Sequence, residues 1–131
     1  MVDLNDALAL GREIAAGRTT AVKATEAALA RIEARDGVVH AWKTLDPEQA
    51  LAEAAARDRE APRSPLHGVP FGVKDVLDTA DLPTGYGSPI HEGARPPADA
   101  ASTALARAAG LVVLGKTVTT EFAMRTPGAT T

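Results

Sequence analysis

Apolar positions in the first part of the chain recur at helical spacing. Leu4, Ala7, Leu8 and Ile14 fall on one helical face, with Asp3 placed to cap the start and Gly17 to stop the end. A second stripe, Val22, Thr25, Leu29 and Ile32, predicts a helix that begins at Thr19-Thr20 and ends near Asp36-Gly37. An extended connection follows from Val38 to Trp42. Asp46-Pro47-Glu48-Gln49 then combines an acid at the N-cap, proline at the first helical position and glutamine at the third, which is a strong helix start. The alanine-rich run from there to Arg59 has high helix propensity but a thin apolar stripe, so it is expected on the surface. Ala61-Pro62-Arg63-Ser64-Pro65 reads as a linker.

Beyond the linker the period changes from helical to alternating. In Leu66 to Asp75 the alternation puts Val69, Phe71 and Val73 on one strand face and Pro70, Gly72 and Lys74 on the other. A loop rich in Gly and Pro, Leu82 to Pro97, leads to a helix expected to be capped at Asp99 and closed by Gly110. Leu111 to Leu114 is a continuous apolar run, which fits a strand buried on both faces. Strand, helix and buried strand make a crossover unit of the α/β class. Residues 1–62 are thus read as an N-terminal helical segment and 63–131 as the start of an α/β core, together one incomplete domain whose strands need further neighbours.

Composition narrows the function classes. The 131 residues carry a formal net charge of −3, and the aromatics are Trp42, Phe71, Tyr86 and Phe122. Nucleic-acid sites need basic surface and stacking rings, so direct nucleic-acid binding by this segment is not expected. With no cysteine, disulfides and thiol chemistry are excluded. The start, Met1 to Asp6, has neither a basic nor an apolar leader pattern and no later stretch is long enough to span a bilayer, so a cytoplasmic protein without membrane contact is the default expectation.

The leading candidate for chemistry is Lys74, although for an arbitrary apolar strand ending in lysine a solvated side chain that merely closes the strand is the commoner case. At a strand end beside Gly72, a residue without a side chain, its ammonium leaves room for a ligand, and desolvation there would lower its pKa toward the range of a base. Asp75 and Asp78 either orient Lys74 or, as the commoner role of Asp in turns, cap the strand end. Gly110 to Thr117 satisfies the G-x-x-x-x-G-K-[ST] pattern of a phosphate-binding loop. Such a loop must wrap phosphates with free backbone amides, whereas Leu-Val-Val-Leu commits its amides to a ladder and follows a helix. Lys116 is accordingly read as structural or solvated. His40, His67 and His91 lack metal-ligand spacing, so a zinc site is not expected. His67 is assigned to the turn before the strand.

Several segments together resemble the amidase signature family over nearly the whole chain. They are Pro65-Leu66-His67-Gly68-Val69-Pro70 running into Val73-Lys74-Asp75, Asp78 to Thr84, Gly87-Ser88-Pro89, Pro97 to Ala100, Leu105 to Gly110, Leu114 to Thr117 and Glu121-Phe122-Ala123. The resemblance implies the first quarter to third of an amidase, with the incomplete start of that family's mixed, largely parallel sheet. Lys74 then corresponds to the lysine of a Ser-cisSer-Lys triad. Both serines of that triad belong to a Gly/Ser-rich segment downstream, and Ser64, Ser88 and Ser102 lie in no such run.

By the same resemblance Tyr86, Phe122 and Met124 are candidates to line a substrate pocket, although core packing suits Phe122 and Met124 at least as well. Gly115-Lys116-Thr117 would end a strand near the cleft without assigned chemistry. The implied reaction is hydrolysis of a small-molecule carboxamide without metal or organic cofactor, with the remainder of the amidase body as the necessary partner and self-association left open. The related glutaminase (A) subunit of a tRNA-dependent amidotransferase shares this N-terminal pattern and stays open as an alternative. So does a truncated, non-catalytic interaction or folding module. Val118-Thr119-Thr120 departs from the family's more usual Asn-containing continuation, which leaves the substrate unnamed.

Overall fold

The computed structural model describes residues 6–124. Three helices precede most of the sheet: α1 Ala7–Ala15, α2 Ala21–Val39 and α3 Pro47–Arg57, with strand β1 Trp42–Leu45 between the last two. Strand β2 Pro70–Lys74, helix α4 Ala101–Ala108 and strand β3 Val112–Thr117 follow. The strand order is β1-β3-β2, with β1 antiparallel and β2 parallel to the central β3. The sheet is mixed, and its antiparallel strand lies within residues 1–62 in the stretch after the expected extended connection.

Local chemistry accounts for the helix starts. Asp6 caps α1 by accepting from the amides of Leu8 at 2.9 Å and Ala9 at 3.3 Å. The cap expected at Asp3 lies outside the described residues. Gly17, at φ +70, ends α1 as predicted. Thr20 caps α2 through Lys23 N at 3.1 Å, and Asp46 caps α3 through Gln49 N at 3.0 Å. Asp58, just beyond α3, adds its carboxylate to the amides of Ala21 at 2.7 Å and Val22 at 3.1 Å, so one acid couples two helix ends.

Three expectations are corrected. Helix α2 runs through Gly37 to Val39, because its stop is His40 in the left-handed region, with Asp36 accepting from Ala41 N at 2.7 Å. Helix α3 is a core helix: Ala50 and Ala54 are fully buried with Ala21, Ala28, Val112 and Leu114, where small side chains let α2 and α3 approach the sheet closely. Asp99 is not the cap of α4, whose N-cap is Ala100 without a side-chain bond. It accepts instead from Ala80 N at 2.8 Å and pairs with Arg107 Nε at 3.1 Å.

The sheet has two covered faces. Helices α2 and α3 pack on one through Val112 and Leu114, and the 77–82 loop packs on the other through Val73, Leu82 and Val113. Phe71 joins Val73 there as alternation predicts, whereas Val69, just before the strand, packs with Leu10 and Ala24. The β2–β3 register jumps from Phe71↔Val113 to Gly72↔Gly115, leaving Leu114 as an extra residue in β3. That bulge turns Lys116 toward the face of Val113. Gly115 is required beside it, since an added Cβ would lie 2.2 Å from the Thr44 carbonyl oxygen of β1.

Two substitutions test this packing by urea unfolding. Gly115→Ala should destabilise the protein by about 2 kcal/mol or more through overpacking against β1. Gly37→Ala adds a Cβ that meets nothing within 4 Å in a helical backbone, and should stabilise by about 0.5–1 kcal/mol.

Candidate active site

The site is built around the ends of β2 and β3, which run parallel and finish together, with Val73 opposite Lys116 and Lys74 opposite Thr117. Successive residues of β2 point to opposite faces, so Lys74 and Asp75 part company. Lys74 is exposed, and its carbonyl accepts from Leu77 N at 2.9 Å to turn the chain. Asp75 is buried, extends the ladder by donating its amide to Thr117 O at 2.8 Å, and accepts through Oδ2 from Gly85 N at 3.1 Å. Its carbonyl accepts from Tyr86 N at 2.9 Å. Asp75 therefore fixes the strand end beneath Lys74, which is the structural role weighed for it.

Lys116 matters more than its sequence context suggests. It has no accessible surface at all; its ammonium donates to Thr84 Oγ1 at 2.6 Å and to Pro83 O at 3.4 Å, and lies 3.3 Å from Asp75 Oδ1. Of the two roles considered, the structural one holds and the solvated one does not. Burial pulls its pKa below the ordinary lysine value, and the adjacent Asp75 carboxylate opposes that pull. No local pattern in the sequence points to this pair, because the bulge at Leu114 that brings Lys116 to Asp75 is set by tertiary strand pairing.

The loop over this junction carries the remaining candidates. Tyr86 is in the left-handed region at φ 55, and its hydroxyl donates to Asp78 Oδ1. That bond, more than its partial burial, holds the phenol pKa above the usual value. The Tyr86 ring meets His91 edge-on at 5.1 Å, and His91 meets Phe122 at 5.8 Å. Tyr86 and Phe122 line one open depression of about 350 Å³ with His91 and Arg95. Met124 does not join them. Phe122 is 46% and Met124 71% exposed, so neither belongs to the core that was an equal reading for them.

The other polar candidates have structural partners. His67 is buried, donating through Nε2 to Arg57 O at 3.0 Å and accepting at Nδ1 from Arg63 N at 3.3 Å, which ties the linker to α3. Ser64 donates to Ala109 O at 2.7 Å, Ser88 donates to Glu121 Oε1 at 2.7 Å, and Ser102 is exposed on α4. Among the described residues no cluster of His and acidic side chains is placed to hold a metal, and no helix is long and apolar enough to cross a membrane.

The parallel strand pair thus carries one exposed and one buried lysine near its ends, under a Gly/Pro-rich loop. The family defined as Amidase matches residues 23–130, and the chain belongs to it. It is 50% identical over 119 residues to the A subunit of glutamyl-tRNA(Gln) amidotransferase from Streptomyces coelicolor, covering 88% of this chain and 24% of that protein. The corresponding protein of Mycobacterium tuberculosis is 45% identical over 125 residues, covering 92% and 25%.

Among solved structures, the native peptide amidase of Stenotrophomonas maltophilia superposes with a TM-score of 0.83 at 40% identity, covering 89% of this chain and 25% of that one. Fatty acid amide hydrolase, at a TM-score of 0.81 and 24% identity over 87% of this chain and 21% of its own, shares the fold. The chain thus spans about a quarter of the length of the relatives it matches, and corresponds to their N-terminal part.

The phosphate-loop reading of Gly110 to Thr117 meets a decisive geometry. Val112 to Thr117 are strand, and the motif lysine is enclosed against Asp75 and Thr84. Isothermal titration of ATP with magnesium should accordingly show no saturable binding in the micromolar range. Binding abolished by Lys116→Ala without loss of fold would contradict the assignment.

Proposed function

We propose that this chain supplies the lysine base of an amide hydrolase, and that Lys74 is that base. The observation that carries the reading is the position of Lys74 at the exposed end of β2, directly before the buried and fully tethered Asp75, in a chain of the Amidase family. A side chain on a rigid strand end can be held within the fraction of an ångström that proton transfer needs, better than one on a loop. Tyr86 and Phe122, which share one depression that Lys74 does not line, are the substrate-lining candidates, and Met124 lies close to Phe122 in sequence.

In this mechanism a neutral Lys74 accepts the proton of the cis serine, which takes the proton of the nucleophilic serine as that oxygen attacks the carboxamide carbon. The C–N bond breaks as the proton held by Lys74 returns through the cis serine to the leaving nitrogen, and water, deprotonated by the same relay, then hydrolyses the acyl-serine ester and restores the serine hydroxyl. Both serines lie outside this sequence. Lowering a lysine from its ordinary value of about 10.4 into the neutral range demands roughly 4 kcal/mol of destabilisation of the charged form. Lys74 is exposed in this segment, so the proposal requires the remaining amidase body to wall it in. A cytoplasmic setting belongs to the same proposal.

A second reading is the glutaminase subunit of a tRNA-dependent amidotransferase. It is favoured by the 45–50% identity to such subunits, against 40% to the peptide amidase. The two readings share Lys74 and differ in the amide they accept.

The test uses the protein at the full length of its relatives. Lys74→Ala should lower kcat for amide hydrolysis by about 10³-fold or more, because members of one catalytic unit fail together. Lys74→Arg should fail equally, since arginine keeps its proton at any working pH. Near-normal turnover by the arginine variant would make residue 74 a fixed positive charge and remove the base mechanism.

A further inference from the structure

The end of β2 presents an electrostatic problem. A carboxylate, Asp75, is the immediate neighbour of the lysine that must lose a proton, and an anion nearby stabilises the protonated form. The fold answers with a second lysine from the adjacent strand. We propose that Lys116 is a positioning residue for Lys74: by pairing with Asp75 and gripping Thr84 and Pro83 it both fixes the end of β2 and cancels the carboxylate charge beside the base. The proposal rests on the reading of Lys74 as the base.

The geometry gives Lys116 these roles together. Val73 is its register partner, so its own strand position is tied to the residue before Lys74. Its ammonium spans from Asp75 Oδ1 to Thr84 Oγ1 and Pro83 O, closing the 83–86 loop over the strand end. Gly85 N and Tyr86 N complete the closure on Asp75 from the loop side. Enclosure keeps the pair from being screened by solvent, so its cancellation of charge acts at full strength on a nearby group.

Other charged and titratable groups surround the junction. Asp78 and Asp81 of the following loop add negative charge near Lys116, and Asp78 is bonded by Tyr86. Asp81 is paired with Arg107 at 2.6 Å. Lys43 of β1 and Glu92, paired with each other at 3.2 Å, share with Asp75 a pocket of about 250 Å³, and Glu121 accepts from Ser88 at its edge. These acids each have their own partner. Asp75 depends on Lys116 for a cation.

The experiment is the pH dependence of kcat/KM in the full-length protein, with benzamide and glutamine as probe amides. Lys116→Met leaves Asp75 uncompensated and should move the acid limb to higher pH by about one pH unit or more, the size expected for a close charge. The double variant Asp75→Asn with Lys116→Met removes both charges and should bring the limb back toward its wild-type position, a rescue that a purely structural role does not produce. Where Lys116→Met fails to fold by circular dichroism, Thr84→Val, which deletes the 2.6 Å acceptor, should move the limb in the same direction by a smaller amount. An unmoved limb in the folded single variants, with Lys74→Arg inactive, overturns the inference and leaves the base reading standing. Normal turnover by Lys74→Arg overturns both.

Discussion

A buried ion pair between Lys116 and Asp75 is the constraint on which the strand ends and their loop depend. Removing two such ions from water costs several kcal/mol each, and the pair persists only if the remaining polar valences are met. One loop supplies most of them: Thr84 Oγ1 and Pro83 O accept from the ammonium and Gly85 N donates to Asp75 Oδ2, while Asp75 Oδ1 has the ion-pair contact alone. The loop is long and poor in regular structure. Its path is set because each of these contacts would leave a buried charge short of a partner if the loop moved.

That pair in turn requires the irregularity of β3. Without the extra residue at Leu114, strict alternation would send Lys116 to the side of Val112 and Leu114, into the alanine-lined contact with α2 and α3. An ammonium there would face only small apolar side chains. The bulge, Gly115 with no room for a Cβ against Thr44 O, and the antiparallel strand β1 are therefore parts of one arrangement that delivers a charge to the loop face. The cost is a register break in the middle of the sheet, and the gain is a tethered strand end at Asp75.

What could be read from the sequence follows the range of the interactions involved. Helix starts at Thr20 and Asp46 were legible because cap and capped amide lie three residues apart. The end of α2 was not, since a histidine rather than glycine takes the left-handed position and Asp36 stabilises the turn. The burial of α3 was hidden because alanines leave no apolar stripe, yet their small size is what permits close contact with the sheet. Asp99 carried a cap's sequence context but is drawn away by Arg107, which also binds Asp81 and Glu53 from other elements. Lys74 stood out through its motif. The partnership of Lys116 with Asp75 could not, because it needs two strands in register and a bulge that no local pattern encodes.

The two lysines show how one side chain is given opposite roles by position alone. Lys74 ends β2 and Lys116 is the penultimate residue of the parallel β3, so the two lie one residue apart in register. Lys116 is fully enclosed and is compensated by Asp75, so its charge is used for structure. Lys74 is on the open side and receives no such compensation from Asp75, whose carboxylate is already committed inward. Under the proposed base reading that arrangement is favourable, because the neighbouring carboxylate is taken up by Lys116 and the Gly85 amide rather than by the Lys74 ammonium. Had Asp75 turned outward, a wall of apolar residues over Lys74 would have buried a lysine–carboxylate pair, and the ammonium would have been locked in its charged state.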